Sequence, residues 1–88
     1  MKKEFESIKN TLSDLCLIPG LSGHEDEVRL YIQSKLKKLN LSFKSDIFGN
    51  VCATLKGNSN LPSIMLFAHM DQLGFIIKKI ETNGLLRI

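Results

Sequence analysis

Residues 63–68 (SIMLFA) constrain the fold more than any other segment, because they are apolar almost without interruption. A strand with one solvated face alternates apolar and polar residues, whereas a strand covered on both faces is a continuous apolar run. The run therefore predicts a central strand of a sheet, buried between other elements. With 88 residues the chain has room for one small domain at most.

The first 40 residues have helical periodicity. An apolar stripe at helical spacing predicts an amphipathic helix over residues 3–17, followed by a break at IPGLSG. Ser22 then precedes Glu25 by three residues, a capping-box pattern that predicts the start of a second helix. This second helix is acidic in its first turn and basic at its end, as the helix dipole favours. Its predicted apolar face consists of Val28, Tyr31, Ile32, Leu36 and Leu39.

After Asn40 the apolar period changes from 3.6 to 2, which predicts strands over residues 41–44 and 51–56. The segment DIFGN joins them as a hairpin turn. A second hairpin is predicted over residues 73–88, with Asn83 and Gly84 at its turn. The predicted fold class is α/β: two N-terminal helices, a hairpin, the central buried strand, and a final hairpin.

Composition excludes several classes of protein. The net charge of +3 comes from scattered lysines with acidic residues between them, so no nucleic-acid-binding stripe is predicted. The apolar runs are much shorter than the roughly 20 residues of a membrane span, and no membrane partner is expected. The N-terminus lacks a signal-peptide pattern, so we expect a cytoplasmic protein. Cys16 and Cys52 lack metal-site spacing and are predicted to be buried free thiols.

A histidine and an aspartate follow the apolar run, in the order His69, Met70, Asp71. Residues two apart in an extended chain point to the same side, so both side chains can face the space beyond the strand's carboxyl end. His69 can offer a nitrogen to a divalent metal ion, and Asp71 can bind metal or orient the imidazole through its other ring nitrogen. The alternative is a structural histidine that is satisfied by its acidic neighbour.

The rest of the chain offers few partners for such a site. A catalytic zinc usually has three protein ligands, and the other histidine, His24, lies at the start of a helix, where a surface or capping role is expected. No Ser-His-Asp or Cys-His grouping and no phosphate-binding loop is present. At most one partial metal site is therefore predicted here.

Three segments together resemble one family: residues 19–29 (PGLSGHEDEVR), 46–57 (DIFGNVCATLKG) and 63–88. In this order they are similar to the N-terminal portion of the cytosolic two-metal aminopeptidases called deblocking or glutamyl aminopeptidases, of which some have been labelled endoglucanases. The resemblance implies a zinc-peptidase-like sheet and two divalent metal ions, zinc or cobalt, that activate water for peptide hydrolysis. It makes His69 a metal ligand and Asp71 the catalytic-site residue that orients it.

The resemblance also implies a division into two domains, and the chain differs from the family's usual motif at one position. Residues 1–72 correspond to the N-terminal part of a catalytic α/β domain, and residues 73–88 to the first hairpin of an inserted β-rich oligomerisation domain. Homo-oligomers and a peptide substrate are thus expected of the full-length enzyme. Where the family usually has AHMDE, this chain has AHMDQ, so Gln72 cannot serve any role that needs a charge.

Two functions remain open at this stage. The first is an N-terminal fragment of a metal-dependent aminopeptidase, inactive alone because the other expected ligands and the general base would lie beyond Ile88. LLRI, without a terminating signal, supports that expectation. The second is a noncatalytic binding or assembly module that pairs through open edge strands. Whether the chain is itself an enzyme is not decided by its sequence.

Overall fold

Two helices occupy the N-terminal part of the chain in a computed structural model that describes all 88 residues. Helix α1 spans Lys2–Leu17 and helix α2 spans Asp26–Lys38, close to the predicted positions. The helices are linked by a hydrogen bond in which the Tyr31 hydroxyl donates to Asp14 Oδ2 over 2.9 Å. The predicted stripe of α1 is largely solvent-exposed, including Phe5, Ile8 and Leu12.

The start of α2 differs from the predicted capping box. The N-cap residue is Glu25, without a side-chain capping bond, and its carboxylate instead accepts a hydrogen bond from the Gly23 amide over 2.8 Å. The reason lies in the preceding turn, in which the His24 amide donates to the Leu21 carbonyl and Gly23 has φ +83°. Because this turn separates Ser22 from the first helical turn, Ser22 does not cap α2.

Two antiparallel hairpins follow the helices. Strands β1 (Phe43–Ser45) and β2 (Val51–Ala53) pair with Lys44 opposite Cys52. Strands β3 (Lys79–Ile80) and β4 (Leu86–Arg87) pair with Lys79 opposite Arg87. The small α/β architecture with two helices and two hairpins agrees with the predicted class.

Each hairpin turn contains one glycine in the left-handed region, Gly49 with φ +85° and Gly84 with φ +85°. In the first turn Asp46 accepts hydrogen bonds from the amides of Phe48 and Asn50 and from the Asn50 side chain. The Asn50 side-chain bond is the main cause that lowers the pKa of Asp46 below its usual value. Asn83, the other residue of the predicted turn, has no positive φ.

The predicted buried central strand is not formed. Residues 63–68 have no regular secondary structure, and all of them are exposed; Leu66 is 91% and Phe67 90% accessible. A strand covered on both faces needs paired strands beside it and layers above and below it, and no element of this chain takes those positions. The prediction of burial was wrong for this structure for that reason.

Burial is low throughout the molecule. Only Gly20 and Val28 are buried, and Val28 is the single apolar side chain of the core, at 4% exposure. The radius of gyration is 17.9 Å, whereas a compact domain of this length would have about 12 Å. Cys16 and Cys52 are exposed free thiols, contrary to the predicted burial. Cys52 lies on the face of β2 opposite to the half-buried Val51 and Ala53. No helix combines the length and apolarity required to cross a bilayer.

Candidate metal-ligand site

The predicted site residues lie together on a segment without regular secondary structure, between the two hairpins. The ring nitrogen Nδ1 of His69 is 2.9 Å from the carboxylate Oδ1 of Asp71 and 2.9 Å from the Asp71 carbonyl oxygen. Both side chains therefore lie on the same side of the backbone, as expected for residues two apart in an extended chain. The His69 side chain is 83% exposed and that of Asp71 41%.

The two contacts determine which ring nitrogen of the neutral His69 imidazole carries the hydrogen. Both partners of His69 Nδ1 are oxygen acceptors, so Nδ1 must carry the hydrogen and donate it. In the neutral ring the lone pair is then on Nε2, the nitrogen that faces away from Asp71. A carboxylate that holds one ring nitrogen of a histidine while the other can coordinate is the usual arrangement at protein metal sites.

The His69–Asp71 pair can supply one ligand to a metal ion. An imidazole nitrogen is a common ligand of zinc and cobalt, and the exposed ring leaves space for an ion and further ligands. In this chain no three histidine, cysteine, aspartate or glutamate side chains come together as a possible metal-binding group. His24 is exposed at the start of α2 and is not part of the pair.

The residue after Asp71 has a role that sequence reasoning missed. The Gln72 side-chain amide donates a hydrogen bond to the Ile18 carbonyl over 2.7 Å, and its backbone amide donates to the Gly20 carbonyl over 2.8 Å. A parallel bridge joins Leu21 and Gln72 at the same place. These contacts anchor the His69–Asp71 segment to the loop between α1 and α2. The replacement of a usual glutamate by glutamine was the only signal of this in the sequence.

The geometry thus describes an imidazole whose Nδ1 is held by a carboxylate, an arrangement that is usual at protein metal sites. Comparison with known proteins shows which family the chain is similar to. The family described as M42 glutamyl aminopeptidase matches residues 49–88. Over 80% of the 88-residue chain, the sequence is 38% identical to the lysyl aminopeptidase of Pyrococcus furiosus. Over 81% of the chain, it is 33% identical to the glutamyl aminopeptidase of Lactococcus lactis. A protein of Acetivibrio thermocellus, provisionally named an aminopeptidase, is 36% identical over 96% of the chain.

The predicted resemblance is confirmed: this chain is related by sequence to the M42 glutamyl aminopeptidases. It spans 20% to 25% of the length of these three relatives, so it corresponds to a part of them and not to the whole. No solved structure matches the chain.

Proposed function

We propose that this chain provides the first metal ligand, His69, and its orienting carboxylate, Asp71, to an aminopeptidase site of the M42 type. The observation that supports this most directly is the contact of His69 Nδ1 with Asp71, which leaves Nε2 as the coordinating nitrogen. A divalent metal ion at such a site would polarise a peptide carbonyl and activate water. Within this chain, His69 would hold the ion through Nε2, and Asp71 would hold the ring through Nδ1.

The complete activity would be the removal of N-terminal residues from peptides in the cytoplasm, by an enzyme that assembles as a homo-oligomer and uses two zinc or cobalt ions. The relatives' names support a peptidase, and their greater length supports a chain that is inactive alone. Residues 63–68 would then form the central strand of a zinc-peptidase-like sheet once neighbouring strands cover them. Residues 73–88 would begin a separate β-rich domain.

Metal binding can be tested on the 88-residue chain with zinc as the probe. The two histidines provide an internal comparison, since His69 has an orienting carboxylate and His24 lies apart from it. We expect added Zn²⁺ to shift the ¹⁵N resonance of His69 Nε2 at lower concentrations than those of His24. His69→Asn should abolish the tighter event, and the matched control His24→Asn should retain it.

Equal zinc affinity at the two histidines would contradict the proposal. Asp71→Asn provides a further check, because an amide can present its NH₂ group to Nδ1 and no longer favours the coordinating tautomer. Loss of such a carboxylate partner typically lowers metal affinity by about 10- to 100-fold. An unchanged zinc affinity in Asp71→Asn would show that Asp71 does not orient the ligand.

An assembly module is the second candidate, and the exposed apolar surface favours it. Residues 63–67 are exposed and have no strand partner, although their composition suits a buried strand. Such segments pair readily with another chain. If sedimentation shows self-association that Leu66→Asp abolishes, while zinc binds His69 no better than His24, the assembly function is favoured over the peptidase function.

A further inference from the structure

Gln72 joins two parts of the chain that are more than 50 residues apart in sequence. Its side-chain amide donates to the carbonyl of Ile18, immediately after α1, and its backbone amide donates to the carbonyl of Gly20. Two hydrogen bonds from one residue to one short loop fix both the position and the orientation of that residue. The backbone at residue 72 is therefore held against the loop between the helices.

The loop that receives these bonds is itself packed against α2. Gly20 is buried, and a Cβ at this position would lie 2.8 Å from Val28 Cγ2 and 3.8 Å from Gln72 Nε2. The same position would lie 3.4 Å from the carbonyl oxygen of Met70. The loop, the first turns of α2 and residues 70–72 thus form one packed unit around the only buried side chain of the molecule.

The His69 ring depends on this unit through Asp71. Both atoms that accept from Nδ1, the carboxylate oxygen and the carbonyl oxygen, belong to Asp71. The Asp71 carbonyl is part of the peptide bond to Gln72, so anchoring Gln72 also sets the plane of one of the two acceptors. A rotation of that peptide would remove one hydrogen bond to the imidazole and loosen the other.

We infer that Gln72 is a positioning residue for the metal ligand: its amide donor, bonded to Ile18, holds the Asp71 acceptors that orient His69. This inference rests on the proposed function. It also explains a departure from the usual AHMDE motif, because a glutamate carboxylate cannot donate to the Ile18 carbonyl and would be repelled by it. At this position the chain needs a hydrogen-bond donor and not a charge.

The test compares three substitutions in the full chain. Gln72→Glu keeps the shape and removes the donor, and Gln72→Met removes the donor without adding charge. Gln72→Lys provides a donor on a side chain that is one atom longer and positively charged. The tautomer of His69 is read from ¹⁵N–¹H correlation spectra at a fixed pH at which the ring is neutral. His24 in the same sample serves as the unoriented reference, and zinc affinity at His69 is measured in parallel.

We expect the Nδ1–H tautomer of His69 to dominate in the wild type and in Gln72→Lys. In Gln72→Glu and Gln72→Met its tautomer ratio should move toward that of His24, and zinc affinity should fall about tenfold. A purely structural role would lower stability without changing the tautomer of the remaining folded molecules. Should Gln72→Glu fail to fold, the comparison of Gln72→Met with the wild type still tests the loss of the donor at constant charge.

Two results separate this inference from the proposed function. If His69 keeps its tautomer and zinc affinity in both donor-free variants, Gln72 does not position the ligand, whatever the metal does. If wild-type His69 binds zinc no better than His24, the metal-site proposal fails. Retention of the wild-type tautomer in Gln72→Met would then overturn the positioning role as well.

Discussion

Residues 18–53 and residues 54–78 differ sharply in how much of their apolar surface they cover. The first region contains both buried residues, Gly20 and Val28, and α2 lies beside the first hairpin, with Gln33 Nε2 donating to Ser45 Oγ over 2.9 Å. The second region has no helix or ladder, and only Met70 and Asp71 are half-buried. Yet the second region contains the longer apolar run.

The difference shows which contacts this chain can make from its own residues. Helix α2 and the hairpin are neighbours in sequence, so few residues must be ordered to bring them together. A central strand gains stability only when strands and helices from elsewhere surround it, since its backbone groups and both faces need partners. The four predictions that follow probe this contrast, from the largest expected effect to the smallest.

The same charged substitution should destabilise the first region strongly and the second hardly at all. In Val28→Asp a carboxylate replaces the one buried apolar side chain, and we expect a loss of about 3 kcal/mol in the free energy of unfolding. In Leu66→Asp, at a position 91% exposed, the change should stay within about 0.5 kcal/mol. Urea unfolding followed by helical circular dichroism measures both. Equal losses would mean that residues 63–68 are buried in solution.

Glycine-to-alanine substitutions sharpen the contrast through packing alone. A Cβ at Gly20 would clash with Val28 and crowd Met70, so Gly20→Ala should cost about 1–2 kcal/mol. Gly57 has nothing within 4 Å of the corresponding position, and Gly57→Ala should be neutral within about 0.5 kcal/mol. The urea midpoints of the two variants provide the comparison. Destabilisation by Gly57→Ala alone would reverse the assignment of the packed region.

The second hairpin should be weakened slightly when its ion pairs are removed. Glu81 lies 2.7 Å from the Arg87 guanidinium and 3.5 Å from the Lys79 ammonium. Because these groups are partly solvated, Glu81→Gln should cost only about 0.5 kcal/mol, and less at high salt. Cross-strand nuclear Overhauser effects between residues 79 and 87 report the hairpin population. Glu6→Gln, at a residue without an ion pair, is the matched control.

The smallest effect is expected from acid at the first hairpin. The pKa of Asp46 is lowered mainly by the Asn50 side-chain bond, so the folded hairpin binds this proton less readily than the unfolded chain. The contribution of the ionised Asp46 carboxylate to hairpin stability is complete above the usual aspartate pKa. It is lost as the pH falls through the lowered pKa of the folded state. Amide shifts of Phe48 and Asn50 should follow that loss. Asp46→Asn should abolish the pH dependence, and an unchanged profile in that variant would assign it to another group.

Much of the local structure could be read from the sequence. The helical stripes, the acidic start and basic end of α2, and the turn glycines Gly49 and Gly84 each depend on neighbours within a few residues, and all lie where they were predicted. The pairing of His69 with Asp71 also follows from a local rule, because a spacing of two places side chains on one face of an extended segment. Periodicity and backbone angles are properties of the chain alone.

Only the tertiary structure could decide where burial occurs and what Gln72 contacts. The apolar run at residues 63–68 encodes a preference for burial, but burial requires partners, and in this structure no other segment covers the run. The bond from Gln72 to Ile18 spans 54 positions, and no local pattern specifies a contact at that separation. Secondary structure follows from interactions between residues close in sequence, whereas cores and long-range hydrogen bonds depend on which distant segments meet in space.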